Sequence, residues 1–548
     1  ASGQALNAPG IDDDPNGCAV IGENPVVRVV TDAGLSGLSE VFSFEVLHRC
    51  ELASLLKTET QVTYDVAGNL TSIISNSQNW SFDYDLAGRR IKSTDPDVGV
   101  TTYLYDDNSN TIETQAAGRD KVSTSYDDMN RPLQRLDGTT IVAAWTYGNG
   151  PVTGNNDYGR LLTETSQGPS GEFKRTVNGY TASGLPKSTT LTPPAALNLA
   201  PMTQTFTYDA VDHPVKVAYS EVKSGAVSLL PATEQTGQYA TDTGALQGSS
   251  VAVGGAASAN MTVGYDAANR LAAFTTLPAD ITNDQTMQRS FSYSAKSGRP
   301  IGVSVATGLK PGDVNFPTVT NSYSYDYDLA GFPNRITSTN TDGVGATSRA
   351  AWCYTYDGLG HLATATTGGA PTASTIGSVE CPTDGAAAPE NTLLGGRFLY
   401  NYKFDATRLT EVKLSSPGGT TGGTVSYQYS SATPHQLVST SSTNPSADYL
   451  PPVVSALVYS PDGRVESMND GAATVASEFD NQGNLTKTTQ TAAAGQTVSK
   501  FDYDPAGMRL AAKTTTPNGT ATTTVFLGST EITITKPSGQ AAQYTARR

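Results

Sequence analysis

Nowhere in these 548 residues does an apolar run approach 18 in a row, so the sequence holds no candidate membrane-spanning helix. Basic clusters are missing too. Arg89-Arg90 and Arg547-Arg548 are the densest basic spots, and the formal net charge is −16. Nucleic-acid binding needs a basic face, and attraction to an anionic membrane needs the same, so both are disfavoured. No signal-peptide pattern is visible. The chain opens at Ala1 without Met, which suits a processed end. Phosphate loops, H-E-x-x-H helices and G-x-S-x-G elbows are all absent, and no cofactor is expected.

Charged residues make up only 16% and apolar residues 37% of the chain. Gly, Thr, Ser and Tyr fill the difference. That composition suits many short strands joined by polar turns, an all-β chain, and suits long helices poorly.

One unit recurs. "YDVAGNL" begins at Tyr64, "YDLAGRRI" at Tyr84, "YDDNSNTI" at Tyr105 and "YDDMNRPL" at Tyr126. Further copies begin at Tyr208, Tyr265, Tyr327, Tyr356, Tyr459, Phe479 and Tyr503, and weaker ones at Tyr147, Tyr180, Tyr239, Tyr293, Phe404 and Tyr429. This gives about 17 units, the first spaced 20, 21, 21 and 21 residues apart from Tyr64 to Tyr147.

Each unit reads as a β-hairpin. An alternating run such as "WSFDY" precedes the Tyr and predicts a strand with one packed face. The next residue, usually Asp, can bond its own backbone two residues on and open a turn. Four after the aromatic comes Gly68, Gly88, Gly331, Gly360, Gly463, Gly483 or Gly507, or else Asn130 or Asn269, residues that tolerate positive φ. Aliphatic residues such as Leu70, Ile91, Leu133, Leu271, Leu362 and Leu485 start the return strand. Stacked hairpins predict one long antiparallel sheet with a tyrosine ladder on a face. A catalytic carboxylate pair among Asp65, Asp85 and Asp127 is disfavoured, because they recur in every unit while an active site needs one special pair.

Four cysteines, Cys18, Cys50, Cys353 and Cys381, fall into two local pairs without C-x-x-C spacing. Disulfides Cys18–Cys50 and Cys353–Cys381 are expected in an oxidising compartment, each closing roughly thirty residues and contributing on the order of 3 kcal/mol. Of the four histidines, His213 and His361 fall in repeat turns and read as exposed. The others are His435 and His48; His48 lies close to Cys50, but a disulfide accounts for that cysteine more simply than a Cys–His nucleophile. "IDDDPNG" offers Asp12, Asp13, Asp14 and Asn16 as a weak Ca²⁺ candidate, with a solvated acidic turn as the simpler reading.

The pattern Y-D-x-x-G-[RN]-[LIV] at about 20-residue steps resembles the YD repeats of Rhs proteins. Related repeats occur in toxin-complex B and C components, bacterial wall-associated proteins and teneurins. The resemblance covers residues 64–510, and the tail "TATTTVFLGSTEITITKPSGQAAQYTARR" resembles the entry to the Rhs-associated core. It implies a sheet that spirals into a hollow shell or barrel, which in bacterial members commonly encloses a C-terminal toxin. Many Rhs proteins cleave themselves at a D-P-x-G-[LMW] motif near the end of the core. "DPAGM" at Asp504 to Met508 looks like that motif, but it sits in register as the turn of the Tyr503 unit. The Pro usually found five residues before the Asp is Ser499 here, and the core-like strands follow the motif instead of preceding it. The cleavage site and toxin therefore read as missing.

The expected organisation is a terminal cap at 1–57, a repeat sheet at 58–510 and the start of a core-like segment at 511–548. "NPVVRVV" at Asn24 to Val30 reads as a strand, and the spacing of Leu38, Val41, Phe42, Val46 and Leu47 reads as helical. "TLTPPAALNLAPM", "TLPADITNDQTM" and about 368–396 read as insertions on one rim. The expected function is a secreted, bacterial extracellular, non-enzymatic shell around a C-terminal toxin or effector polypeptide, with further shell chains as candidate partners. The alternative is an extracellular adhesion or matrix protein that binds glycans or surface proteins through rim loops.

Overall fold

A computed structural model describes residues 61–75, 78–149, 155–278, 286–309, 319–341, 347–368, 381, 398–405, 408–415, 422–444 and 450–547. It also gives the backbone of five short strands between residues 12 and 48. Strands make up about two-thirds of these residues, and the one helical element among them is the 3-10 turn Ala195–Leu197.

Each repeat turn is built the same way. In the Tyr84 unit, the Asp85 amide donates to the Arg89 carbonyl (2.9 Å) and the Gly88 amide to the Asp85 carbonyl (3.0 Å). Gly88 sits at φ 77, where a Cβ is strained. Asn130, Asn269, Ser109 and Asp212 take the same left-handed conformation in their units. The ladder carries a bulge at each such turn. Asp83 pairs with Lys92, yet Tyr84 pairs with Arg90, so one residue of the return strand is extra. The same one-residue shift appears at Tyr64, Tyr105, Tyr126, Tyr265, Tyr327, Tyr356 and Tyr503. Bulges increase local twist. A bulge in almost every unit gives a strip that curls.

Antiparallel pairing runs from Gln61–Tyr64 to Leu437–Ser442 in chain order, bypassing only the side hairpin Val222–Ser224/Val227–Leu230. Val26–Thr31 adds to the first edge, parallel to Gln61–Tyr64 and antiparallel to Ser36–Glu40. Leu38 belongs instead to the strand Ser36–Glu40 and Leu47 to the two-residue strand Leu47–His48, while Val41, Phe42 and Val46 lie outside the described residues. Pairing with Val26–Thr31 takes up the backbone of Ser36–Glu40, and there tertiary pairing outweighs a weak local periodicity.

The ladder breaks after Ser442 and resumes as a nine-stranded sheet from Ser455–Tyr459 to Gln543–Arg547. Pro451 and Pro452 lie in the gap and have no N–H to donate. Thr440 still bonds Val454 across it (2.7 Å), so the break is local. The expected boundary at 510 falls inside the strand Arg509–Thr515, and hydrogen bonds cross it unbroken.

The strip meets itself after one revolution. Asp97, Arg119, Asp137 and Ser170 lie on the rim opposite the repeat turns. His435, Asp462, Asn481 and Pro505 lie in repeat turns hundreds of residues later. Hydrogen bonds join the two rims with sequence separations of 332 to 370 residues. As the chain advances from Asp97 to Ser170, the partner advances from His435 to Asp502. The long antiparallel sheet therefore winds into a hollow shell, its second revolution seated on its first. No pairing joins the first and last strands of the long ladder among the described residues, so the wall is a spiral and not a closed ring.

The best-buried cluster lies where the revolutions overlap. Phe173, Leu197, Leu199, Met202 and Val222 pack with Val525, Leu527, Ile532 and Ile534. Leu197 and Leu199 come from "TLTPPAALNLAPM". That insertion is a rim connection as expected, yet it is folded into the core between two sheets.

Candidate functional site

The repeat turn is a capped joint. Asp85 Oδ1 accepts from the amides of Ala87 (3.0 Å) and Arg89 (2.9 Å), and its Oδ2 accepts from Arg89 Nε (2.7 Å). Asp65, Asp106, Asp127 and Asp266 are held likewise by residues two and four positions on. These bonds stabilise the ionised carboxylates. The Arg89 backbone amide pulls the Asp85 carboxyl below its ordinary value, and the Arg131 side chain does so for Asp127. The repeated carboxylates accept from the backbone amides of their own turns.

The tyrosines do not form a ring-on-ring ladder. Neighbouring ladder rings belong to strands two apart, about 10 Å, too far to touch. From Tyr84 onward the ladder hydroxyls instead donate to carbonyls in the preceding unit: Tyr84 to Leu70 (2.9 Å), Tyr105 to Arg90 (2.9 Å), Tyr208 to Pro186 (3.0 Å), Tyr327 to Pro300 (2.7 Å), Tyr356 to Pro333 (2.8 Å), Tyr459 to Leu437 (2.8 Å) and Tyr503 to Leu485 (2.9 Å). The space between rings is filled by the fifth residue after the preceding aromatic. Arg89 lies 4.8 Å from the Tyr105 ring, Arg131 4.3 Å from Tyr147 and Arg270 4.4 Å from Tyr293. His213 stacks on Tyr239 at 4.6 Å, Phe332 on Tyr356 at 4.8 Å and His361 on Phe404 at 4.5 Å. The two turn histidines are thus spacers, partly covered, and each also bonds its own turn carboxylate, Asp209 or Asp357.

The seam between revolutions is polar and specific. Arg119 donates to both Asp462 oxygens, from Nε (3.0 Å) and Nη2 (3.1 Å). Asp97 accepts from the His435 amide (3.0 Å) and meets its Nδ1 (2.6 Å). Asn481 bonds Asp137, and Arg135 donates to the Pro505 carbonyl (2.8 Å). Ser170 donates to Asp502 from its amide (2.8 Å) and hydroxyl (2.6 Å). Asp502 is 1% exposed, and burial raises its carboxyl above the ordinary value. Two glycines allow this approach: a Cβ on Gly118 would stand 2.6 Å from Pro461 Cγ, and one on Gly168 2.4 Å from Asp502 Oδ1. Nothing in the one-dimensional pattern marks these partners, although each lies in a hairpin that the repeat spacing locates.

A cavity of about 280 Å³ opens at the same seam, lined by Phe173, Met202, Leu510 and Leu527 with Glu164 and Arg175 among its polar groups. Asp504 to Met508 borders it and forms an ordinary repeat turn: the Asp504 amide donates to the Met508 carbonyl (2.8 Å) and Gly507 to Asp504 (3.0 Å). Cys353 and Cys381 form a disulfide with Cα atoms 5.7 Å apart, which ties Cys381 to the wall strand Thr347–Tyr356. Cys18, Cys50, Asp14, Asn16 and the side chains of His48, Asp12 and Asp13 lie outside the described residues. Among the described residues no three His, Cys, Asp or Glu side chains gather as a metal site, and no helix is long and apolar enough to cross a membrane.

Residues 64–97 match the RHS Repeat family. No curated protein matches the chain. A crystal structure of TcdB2-TccC3 superposes with a TM-score of 0.65 at 15% identity, over 96% of this chain and 28% of that one. The TcdB2-TccC3-Cdc42 structure gives 0.58 at 16% identity, over 97% and 28%. A Photorhabdus luminescens Tc holotoxin pore gives 0.54 at 17% identity, over 95% and 27%. This chain therefore spans little more than a quarter of the length of the chains it matches. Residues 64–97 thus carry an RHS repeat, and the bulged hairpin spiral that continues from it has the fold of part of TcdB2-TccC3.

Proposed function

We propose that this chain is the wall of a secreted shell that encloses a guest polypeptide, a C-terminal toxin or effector outside these 548 residues. The wall itself does no chemistry. The observation that carries this reading is the seam. Twenty-three ladder strands lie between Asp97 and His435. At about 4.8 Å per strand they span about 110 Å, a ring about 35 Å across and about 25 Å inside the wall. That is room for an extended or partly folded chain, and far more than an ordinary ligand pocket. The likeness to Tc toxin structures supports the same reading. The Cys353–Cys381 disulfide suits an oxidising, extracellular setting.

A protease-sensitive segment fused after Arg548 tests the proposal. Trypsin should leave it intact in the wild-type shell and degrade it when Arg119→Ala and Asp462→Ala open the seam. Equal degradation in both contradicts enclosure.

A further inference from the structure

A cavity of about 280 Å³ lies between the two revolutions, and both supply its walls. Glu164, Phe173, Arg175, Leu191 and Met202 come from the first revolution, and Asp504, Arg509 and Leu527 from the second. The strands behind these walls are hydrogen-bonded to a neighbour on both sides, so neither wall is an edge of a sheet.

Much of the lining is apolar. Phe173, Met202 and Leu527 are each less than a tenth exposed, and Leu191 packs against the same cluster. An apolar cavity of about 150 Å³ holds a benzene ring. This one is nearly twice as large, with room for a ring and a polar head of a few atoms.

Four charged side chains line the cavity, and two of them are paired. Glu164 meets Arg175 (3.3 Å) and accepts from Trp145 Nε1 (3.2 Å). Asp504 and Arg509 are not paired. In other units the residue four after the turn Asp gives that carboxylate a side-chain partner: Arg89 for Asp85, Asn110 for Asp106, His213 for Asp209. In the Tyr503 unit Met508 holds that place, and its side chain has no proton to donate. Asp504 Oδ1 accepts from the amides of Ala506 (2.9 Å) and Met508 (2.8 Å), while its Oδ2 has no hydrogen-bond partner among the described residues. Arg509 lies 4.8 Å from the Phe501 ring and has no carboxylate or hydrogen-bond partner among the described residues. Arg509 is exposed and Asp504 partly so, which places both at the mouth.

We infer that this cavity binds a free α-amino acid with an apolar side chain. The side chain lies among Phe173, Leu191, Met202 and Leu527, the carboxylate against the Arg509 guanidinium and the ammonium against Asp504 Oδ2. One unpaired anion and one unpaired cation beside an apolar cavity complement a zwitterion, and a singly charged molecule leaves one of them unmatched. A residue inside a polypeptide carries neither charge, so a free amino acid is the better fit. The two walls belong to different revolutions, so an occupant also holds the seam closed.

Isothermal titration calorimetry of the full chain with L-phenylalanine tests this. It should bind at one site with a Kd below about 1 mM. Phenethylamine lacks the carboxylate, phenylpropionate lacks the ammonium and glycine lacks the apolar side chain. Each should bind at least about tenfold more weakly. Asp504→Asn keeps an acceptor for the Ala506 and Met508 amides and loses the charge. It should weaken L-phenylalanine about tenfold and leave phenylpropionate unchanged. Arg509→Gln should weaken L-phenylalanine by a similar factor and leave phenethylamine unchanged. Unchanged circular dichroism checks that both variants fold. In hydrogen exchange, saturating L-phenylalanine should slow the Ser170 amide, which bonds Asp502 across the seam. No saturable binding up to about 10 mM, analogues that bind as well as the amino acid, or variants that bind it like wild type overturns the inference. Saturation that does not slow the Ser170 amide puts the bound molecule away from the seam and overturns it as well.

Discussion

Arg119 and Asp462 stand 343 residues apart in sequence and form a two-pronged, mostly buried ion pair, with side chains 13% and 5% exposed. The pair fastens one revolution of the sheet to the next. Asp462→Ala strands the Arg119 guanidinium and should cost about 3 kcal/mol. Arg119→Ala should cost less, because Arg464 and Ser460 still face the carboxylate. Denaturant midpoints give the difference, and hydrogen exchange should rise first around Gly118 and Gly463, at the seam.

Gly168 is there because Asp502 comes so close. Gly168→Ala should destabilise the shell by about 1–3 kcal/mol through the clash. Adding Asp502→Ala should recover part of that loss, since it removes the clashing atoms. The sum of the two single effects should therefore exceed the double-variant effect. Additive costs in a double-variant cycle contradict direct contact between the two sites.

The pH response should contain two opposing parts. Folded-state values for Asp65, Asp85, Asp106, Asp127 and Asp266 lie below 3.8. Their contribution is complete above 3.8 and is lost as pH falls through the depressed values. Asp502 behaves oppositely. Its value lies above 3.8, so its contribution is present at low pH and lost as pH rises through that raised value. Asp502→Asn should therefore gain on wild type as pH rises from about 4 to about 7. Thermal midpoints across pH read both parts, and a variant difference that is flat with pH contradicts the burial argument.

Tyr84→Phe removes the bond to the Leu70 carbonyl while keeping the ring and should cost about 1 kcal/mol. Arg89→Ala should cost a comparable amount, because Arg89 covers the Tyr105 ring, bonds Asp85 and reaches Asp106. Chemical denaturation of single-unit variants measures each. A silent Arg89→Ala means that the residue filling the space between rings contributes nothing.

The unit was legible because it is local. Tyr84, Asp85 and Gly88 lie within five residues, and their spacing alone identifies the turn. Contacts between units were only partly legible. A tyrosine row invites a stacked ladder, but two strands separate the rings, and only the geometry shows Arg89 or His213 between them. The seam was not legible. Asp97 meets His435 through curvature accumulated over eleven bulged repeat turns, Ser170 meets Asp502 in the same way, and no short-range pattern encodes that sum. The insertion holding Leu197 and Leu199 was legible as an interruption, yet its burial depends on a sheet more than 300 residues later.

Whether the strip is wound around an open space is best tested by cryo-electron microscopy of the purified chain. The account predicts a particle with a wall one sheet thick, a lumen about 25 Å across, and the Asp97 hairpin against the His435 turn. Two sheets packed face to face about 10 Å apart, with no lumen between them, would contradict it.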